Sequence, residues 1–182
     1  MAQFFDQAIS RPLLIFVPEW IHPNDLTVAR ATCLLPLIEA RSYPTLAVSI
    51  VILSAVFDLL DGPLARARGQ VSQFGAVLDA TADKVFIIGA LLFVVGDRVP
   101  LFVAGTIIAL DVILTLIRPI KKWRGKLSDA NQWGATKVWL QSIGLIFVLT
   151  QNEFLAGLSL PTFALAIMFA TLSLAEHIRD LS

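Results

Sequence analysis

Residues 57–85, FDLLDGPLARARGQVSQFGAVLDATADKV, hold four of the fourteen acidic residues in this 182-residue chain. The four are Asp58, Asp61, Asp79 and Asp83. The first two stand three residues apart and the last two stand four apart, so each pair shares one face of a helix. The Arg68-Gly69-Gln70 segment between the pairs is typical of a turn. Because that turn makes the two helices neighbours, we expect the four carboxylates to converge.

The chain around this stretch is unusually apolar. Hydrophobic residues make up 57% of it and charged residues 15%, with a mean hydropathy of +0.77. Soluble domains carry about 25% charged residues, so the composition favours a membrane protein that crosses the bilayer several times. The net charge is zero, which gives no support to a nucleic-acid partner. The length predicts a single domain over residues 1–182.

Apolar runs long enough to cross a bilayer predict an all-α integral membrane protein with six transmembrane helices. The predicted spans are 26–41, 44–66, 73–96, 99–119, 132–151 and 158–178. The first fits a full membrane span least well, because it is short and carries Arg30. Residues 1–25 alternate apolar and polar side chains, which predicts an amphipathic helix lying in the membrane interface. The six-helix bundle would then occupy residues 26–178.

The distribution of cations predicts the orientation of this bundle. Six spans place both termini on one side, and every lysine and arginine except Arg41 and Arg98 falls on that side. Cytoplasmic loops of membrane proteins are enriched in Lys and Arg. We therefore expect the termini, the loops around residues 69 and 125, and the carboxylate cluster to be cytoplasmic.

Four converging carboxylates repel one another and are costly in a low-dielectric setting unless they are neutralised. Two arrangements would neutralise them. Hard divalent cations prefer carboxylate oxygens as ligands. Alternatively, Arg66, Arg68 and Lys84 could form a structural ion network with them. Small residues flank the cluster and favour an open space between the helices; they are Gly62, Ala65, Gly75 and Ala76.

The complete pattern is Asp-x-x-Asp-Gly-x-x-Ala-Arg, then eight residues, then Gly-x-x-x-Asp-x-x-x-Asp. It resembles the signature of the CDP-alcohol phosphotransferase family at every fixed position. Residues 23–27, Pro-Asn-Asp-Leu-Thr, with Arg30 are similar to the start of that family's first helix. Six helices preceded by an interfacial helix also fit the family.

The resemblance implies transfer of a phosphatidyl group from CDP-diacylglycerol to a small alcohol with release of CMP. It implies two divalent cations, Mg²⁺ or Mn²⁺, held by Asp58, Asp61 and Asp79. Asp83 would be a further ligand or, preferably, the general base that takes the proton of the acceptor hydroxyl. The implied donor-binding residues are Asp58, Gly62, Ala65, Arg66, Gly75 and Asp79. A homodimer in a bacterial cytoplasmic membrane is also expected.

Two further segments bear on the acceptor. The sequences at these segments resemble those of bacterial phosphatidylglycerophosphate synthases. The matching residues are Asp111 and Arg118 in the fourth predicted helix and Lys137 in the fifth. The resemblance implies that these three residues bind the acceptor, with glycerol 3-phosphate as the leading candidate. The chain departs from that pattern at Leu110 and Ala135, where those synthases carry an arginine and a lysine.

Several alternatives remain open from the sequence. The acceptor could instead be inositol phosphate, phosphatidylglycerol or another polyol, and Asp111 could form a buried ion pair with Arg118. A divalent-cation transporter and an inactive scaffold of the same family are the readings from other functional classes. His177, at the end of the last predicted helix, is interpreted as a helix-end cation that complements the dipole.

Overall fold

The structure is a computed structural model that describes Leu14, residues 17–123 and residues 132–179. The side chains of 118–123 and of residue 132 are outside this description. The described helices are α1 Pro23–Thr32, α2 Leu34–Glu39, α3 Pro44–Ala67, α4 Gln73–Gly89, α5 Leu101–Trp123, α6 Gln132–Leu149 and α7 Glu153–Arg179. The predicted interfacial helix falls largely outside the described residues, as does the loop around residue 125.

The all-α prediction is confirmed, because every predicted apolar segment is helical and the described residues include no strand. The first segment differs in detail, since it breaks at Cys33 into α1 and α2 and ends in a 3-10 turn, Ala40–Ser42. Pro36 explains the break. Proline has no backbone N–H and its ring clashes with the carbonyl four residues earlier, here that of Thr32. The third segment also changes at its end, where α4 continues as a π-helical turn, Ala90–Val94.

Within the described residues, α3 and α7 are long and apolar enough to cross a membrane, and Leu101–Ile117 and Trp133–Leu149 are shorter apolar stretches. Large apolar side chains are exposed on the outer surfaces of the long helices. Examples are Leu46 and Ile52 of α3, which are about half exposed. A broad apolar exterior of this kind suits a lipid environment. The number of spans stays a prediction.

Close helix contacts depend on small residues. A Cβ atom at Gly144 of α6 would lie 2.6 Å from the buried ring of Phe163 of α7. A Cβ atom at Gly89 of α4 would overlap the side chain of Leu34 of α2. Both pairs of helices therefore approach more closely than a side chain at these positions would allow.

The α3–α4 connection brings the two carboxylate-bearing helices side by side. Gly69 has a φ of 64°, a conformation that favours glycine. The amide of Gly75 donates to Ser72 Oγ at 3.0 Å, which caps the start of α4. Arg68 donates to backbone carbonyls in residues 17–21 rather than to the site carboxylates. Arg68 thus fastens the α3–α4 turn to the segment that precedes α1.

Candidate active site

The two acidic helix faces converge, as the spacing predicted, and they converge on a guanidinium group. Arg30 Nη1 donates to Asp58 Oδ1 and lies 3.3 Å from Asp79 Oδ1. Its Nη2 lies 2.7 Å from Asp83 Oδ1. Lys84 Nζ lies 3.3 Å from the other oxygen of Asp83. Arg30 is only 3% exposed, so it is a buried counter-charge shared by three carboxylates.

Helix α1 positions this guanidinium through its first turn. The amide of His22 donates to Asp25 Oδ2 at 2.8 Å, and Pro23 opens the helix at a position where its missing N–H costs nothing. Thr27, one turn before Arg30, donates its hydroxyl to Asp61 Oδ2 at 2.9 Å. One face of α1 therefore contacts all four acidic residues, three through Arg30 and the fourth through Thr27.

Three of the four carboxylates fit a divalent cation. Asp58, Asp61 and Asp79 each offer an oxygen atom, and these atoms lie within 4.8 Å of one another. The side chains of Asp58 and Asp79 are 31% and 49% exposed, which leaves both accessible from the site cavity. Oxygen ligands from carboxylates are those that Mg²⁺ prefers. The donor set therefore suits such an ion, with Asp83 beside the triad and bound to Arg30.

The glycines predicted to contact the donor lie next to polar groups. The position of a Cβ atom on Gly62 would be 3.4 Å from Arg66 Nη1, so the guanidinium of Arg66 lies over Gly62. At Gly75 a Cβ atom would be 3.1 Å from Asn24 Oδ1. Ala65, which lies between Gly62 and Arg66 on α3, is partly buried. The two glycines thus let polar side chains lie close to the backbone on both sides of the α3–α4 turn.

A cavity of about 250 Å³ joins the carboxylates to the later helices. One wall carries Arg30, Asp58, Asp79, Ala80, Asp83 and Lys84. The other wall comes from α5, α6 and α7, and its polar residues include Thr115, Lys137, Ser173 and His177. Ala135, one of the two positions where the chain lacks a cation of the synthase pattern, lines this second wall. The cavity wall is therefore mostly charged on one side, and it combines polar and apolar side chains on the other.

Two of the three residues predicted to bind the acceptor, Asp111 and Lys137, belong to a buried polar network. Lys137 Nζ binds Asp111 Oδ1, and Gln141 Nε2 lies 3.2 Å from Asp111 Oδ2. Asp111 is fully buried, whereas Lys137 also lines the cavity. Helix α6 therefore supplies Lys137 as the cationic partner of Asp111, which lies on α5. The side chain of Arg118 lies outside the described residues, so its predicted role stays a prediction.

Sequence reasoning underestimated two residues. Arg30 was placed in the first helix but not in the site, although a charge inside an apolar segment is a functional signal by default. His177 was interpreted as a helix-end cation, yet it is 4% exposed and lines the cavity. No local signal identifies His177, because it reaches the site only through the packing of α7 beside α5 and α6.

Comparison with known proteins gives one consistent result. Residues 20–175 match the family model described as CDP-alcohol phosphatidyltransferase. A Pectobacterium atrosepticum protein named CDP-diacylglycerol–glycerol-3-phosphate 3-phosphatidyltransferase is 32% identical over 85% of this chain and 94% of its own length. Proteins of the same name from Haemophilus influenzae and Bacillus subtilis are 30% and 31% identical. Those two matches cover 58% and 66% of this chain and span only 60% and 63% of the relatives' length.

Proposed function

Because this chain belongs to the CDP-alcohol phosphatidyltransferase family, we propose that it transfers a phosphatidyl group from CDP-diacylglycerol to glycerol 3-phosphate. The products are phosphatidylglycerophosphate and CMP. The convergence of four carboxylates from α3 and α4 on one face of α1, with three of them lining one cavity, is the observation that carries this proposal. The names of the relatives support glycerol 3-phosphate as the acceptor.

The carboxylate wall is proposed to bind the donor. Asp58, Asp61 and Asp79 would hold divalent cations, Mg²⁺ or Mn²⁺. Such ions neutralise a pyrophosphate and stabilise the charge of a departing phosphate. Arg66 is proposed to contact donor phosphate, because a guanidinium fork suits pairs of phosphate oxygens. Gly62, Ala65 and Gly75 would let the cytidine part of the donor approach the backbone.

Asp83 is proposed as the general base. Its side chain is 10% exposed and lines the cavity, where an acceptor hydroxyl can reach it. The acceptor oxygen forms a bond to the phosphorus that carries diacylglycerol, and the bond from that phosphorus to the bridging pyrophosphate oxygen breaks. CMP leaves with this oxygen, and the hydroxyl proton passes to Asp83. Arg30 and Lys84 hold the carboxylate in place for this transfer.

The second wall of the cavity is proposed to bind the acceptor. Lys137 lines it directly, and Asp111 holds the lysine in position. Arg118 belongs to the same predicted set. The acceptor would thus lie between α5, α6 and α7, with its reacting hydroxyl toward α4. This placement separates the donor and acceptor binding surfaces while keeping the reacting groups in one cavity.

The membrane setting follows from the sequence pattern. Six spans with cytoplasmic termini would place the carboxylates at the cytoplasmic edge of the bilayer, in a bacterial inner membrane. A lipid-anchored donor and a water-soluble acceptor can meet at that edge. The apolar exterior of α3 and α7 supports this setting. A homodimer is proposed from the family resemblance alone.

An acceptor panel tests the proposed function. The full-length protein, purified in detergent with Mg²⁺ or Mn²⁺, is incubated with CDP-diacylglycerol and one alcohol at a time, and CMP is measured. The alcohols are glycerol 3-phosphate, inositol phosphate, phosphatidylglycerol and glycerol. We expect CMP release with glycerol 3-phosphate. CMP release with only a different alcohol would identify that alcohol as the acceptor. CMP release with none of the alcohols would favour a transporter or a scaffold.

A further inference from the structure

Gln141 is a buried polar side chain that the proposed chemistry does not use. It lies on α6, one turn after Lys137, and is 2% exposed. Residues four apart share one face of a helix, and both of these side chains reach Asp111 on α5. Lys137 lines the cavity, whereas Gln141 lies outside the cavity wall. Any effect of Gln141 on the cavity must therefore pass through its neighbours.

The carboxylate of Asp111 is fixed at both of its oxygen atoms. Lys137 Nζ binds Oδ1, and Gln141 Nε2 lies 3.2 Å from Oδ2. The torsion angle that turns a carboxylate about its Cβ–Cγ bond has only a broad preference, so a single hydrogen bond leaves the group free to turn. The bond from Gln141 supplies the second fixed point. Asp111 is thereby held in one orientation toward Lys137.

The other end of the Gln141 amide is unsatisfied. Its Oε1 is buried and makes no hydrogen bond within the described residues. A buried acceptor without a donor destabilises a protein, and a methionine would fill a similar space without that cost. The glutamine is therefore explained by the hydrogen bond that Nε2 donates to Asp111, rather than by a need to satisfy Oε1.

The position of Lys137 Nζ is important because few cations face the acceptor side of the cavity. Lys137 is the one lysine or arginine in α6, Gln132–Leu149. Ala135, which stands where the synthase pattern has a lysine, offers only a methyl group to the cavity. Displacing a substrate-binding group by about 1 Å can lower a rate about 100-fold. A device that holds Lys137 in place thus has a direct consequence for the reaction.

We propose that Gln141 is a positioning residue for acceptor binding. Its hydrogen bond fixes the Asp111 carboxylate, and the carboxylate fixes Lys137 Nζ at the cavity wall. Without the amide, the carboxylate turns and Nζ moves with it. The proposal deepens the proposed function and rests on it, because it requires Lys137 to bind the acceptor. Gln141 itself does not contact the acceptor.

The test compares Gln141→Met, which removes the amide and keeps the length of the side chain, with the wild-type protein. Ile143→Met is the matched control, because Ile143 is 37% exposed on the same helix and lies outside the cavity wall. The same change at Gln141 is also made in the double variant Asp111→Leu/Lys137→Met. For each protein, KM for glycerol 3-phosphate, KM for CDP-diacylglycerol and kcat are measured, and thermal unfolding in detergent checks the fold.

We expect Gln141→Met to raise KM for glycerol 3-phosphate by about fivefold to tenfold, because Lys137 Nζ is no longer held in position. KM for CDP-diacylglycerol should stay within about twofold of the wild-type value, since the donor binds the opposite wall. In the double variant, Gln141→Met should cause no further increase, because the two residues through which it acts are gone. Ile143→Met should match the wild type.

A second variant keeps the test decisive if Gln141→Met unfolds early. Gln141→Asn retains the amide but is one methylene shorter, so it should weaken the bond to Asp111 and raise KM for the acceptor in the same direction. An unchanged KM for the acceptor in a folded variant would overturn the proposal. An equal rise in KM for donor and acceptor would also overturn it, because that pattern indicates a purely structural role.

The double variant and the wild type separate the two proposals. A further rise in KM when Gln141→Met is added to Asp111→Leu/Lys137→Met would show that Gln141 acts by another route, and it would overturn the positioning role. If the wild type releases CMP only with a different alcohol, the proposed acceptor fails and the same variants are compared with that alcohol. No CMP release with any alcohol would contradict both proposals.

Discussion

Arg30 and Asp83 are separated by 53 residues, yet Arg30 Nη2 lies 2.7 Å from Asp83 Oδ1 inside the cavity wall. The contact joins the first helix to the proposed general base. The same guanidinium also binds Asp58 and approaches Asp79. Arg30 therefore balances the charge of the site and fixes the position of the buried Asp83 carboxylate at the same time.

Removing this guanidinium should destabilise the fold and the site together. Arg30→Ala leaves three carboxylates without their shared cation, so we expect a loss of about 3 kcal/mol in the free energy of unfolding. CMP release should fall with it. Arg30→Lys keeps the charge but not the fork, and it should recover part of both. Arg41→Ala, at an exposed arginine away from the site, is the control and should change neither.

Asp83→Asn should stop transfer without preventing donor binding. The amide cannot accept the hydroxyl proton, and general base catalysis typically contributes a factor of about 100 to 10,000. The checks are CMP release and the affinity for CDP in the presence of Mn²⁺. Asp97→Asn, at an exposed position in the α4–α5 connection, is the control. Turnover near the wild-type rate in Asp83→Asn would disprove the base assignment.

The contact between α6 and α7 gives a prediction about stability alone. Gly144→Ala puts a methyl group 2.6 Å from the ring of Phe163, which is fully buried, so the two helices or the ring must shift. Overpacking of this kind costs about 1 to 3 kcal/mol. Gly157→Ala on α7 meets no atom within 4 Å and should not destabilise the protein. Thermal unfolding of the two variants side by side checks the difference, and equal midpoints would refute the close packing.

Variants of the buried pair Asp111 and Lys137 can distinguish a role of Lys137 in stability from a role in acceptor binding. Lys137→Met leaves Asp111 buried without its cationic partner, so we expect a loss of roughly 3 to 5 kcal/mol in the free energy of unfolding. The double variant Asp111→Leu/Lys137→Met should recover most of that stability. If Lys137 also binds the acceptor, the double variant will keep a raised KM for glycerol 3-phosphate. A normal KM in the stable double variant would limit Lys137 to a structural role.

The carboxylate cluster was predictable because its causes are local. Helical spacing places Asp58 with Asp61 and Asp79 with Asp83, and a glycine turn makes the two helices neighbours. Among the cations nearest in sequence, Lys84 does contact Asp83, but the cation shared by three of the carboxylates, Arg30, was not predicted. Arg30 reaches the cluster because α1 packs against both α3 and α4, which is a tertiary relationship with no short-range signal.

The acceptor side shows a related limit. A buried ion pair of Asp111 with Arg118 was one alternative from the sequence, and it stays a prediction because the Arg118 side chain lies outside the described residues. The structure gives Asp111 the partners Lys137 and Gln141, both from the neighbouring helix α6, and the sequence did not pair these residues. The break at Cys33, by contrast, follows from Pro36 and could have been placed from local chemistry. Distances along the chain predict helix faces, and they do not predict which faces meet.

Incorporation of labelled glycerol 3-phosphate into lipid is the most direct test of the site as a metal-dependent transferase. The wild-type protein is assayed with CDP-diacylglycerol and Mg²⁺ or Mn²⁺, with and without EDTA, beside Asp61→Asn and the control Asp97→Asn. The account predicts labelled lipid only with both the donor and a divalent cation present, near-complete loss in Asp61→Asn, and normal activity in Asp97→Asn. Labelled lipid that persists in EDTA or in Asp61→Asn would contradict it.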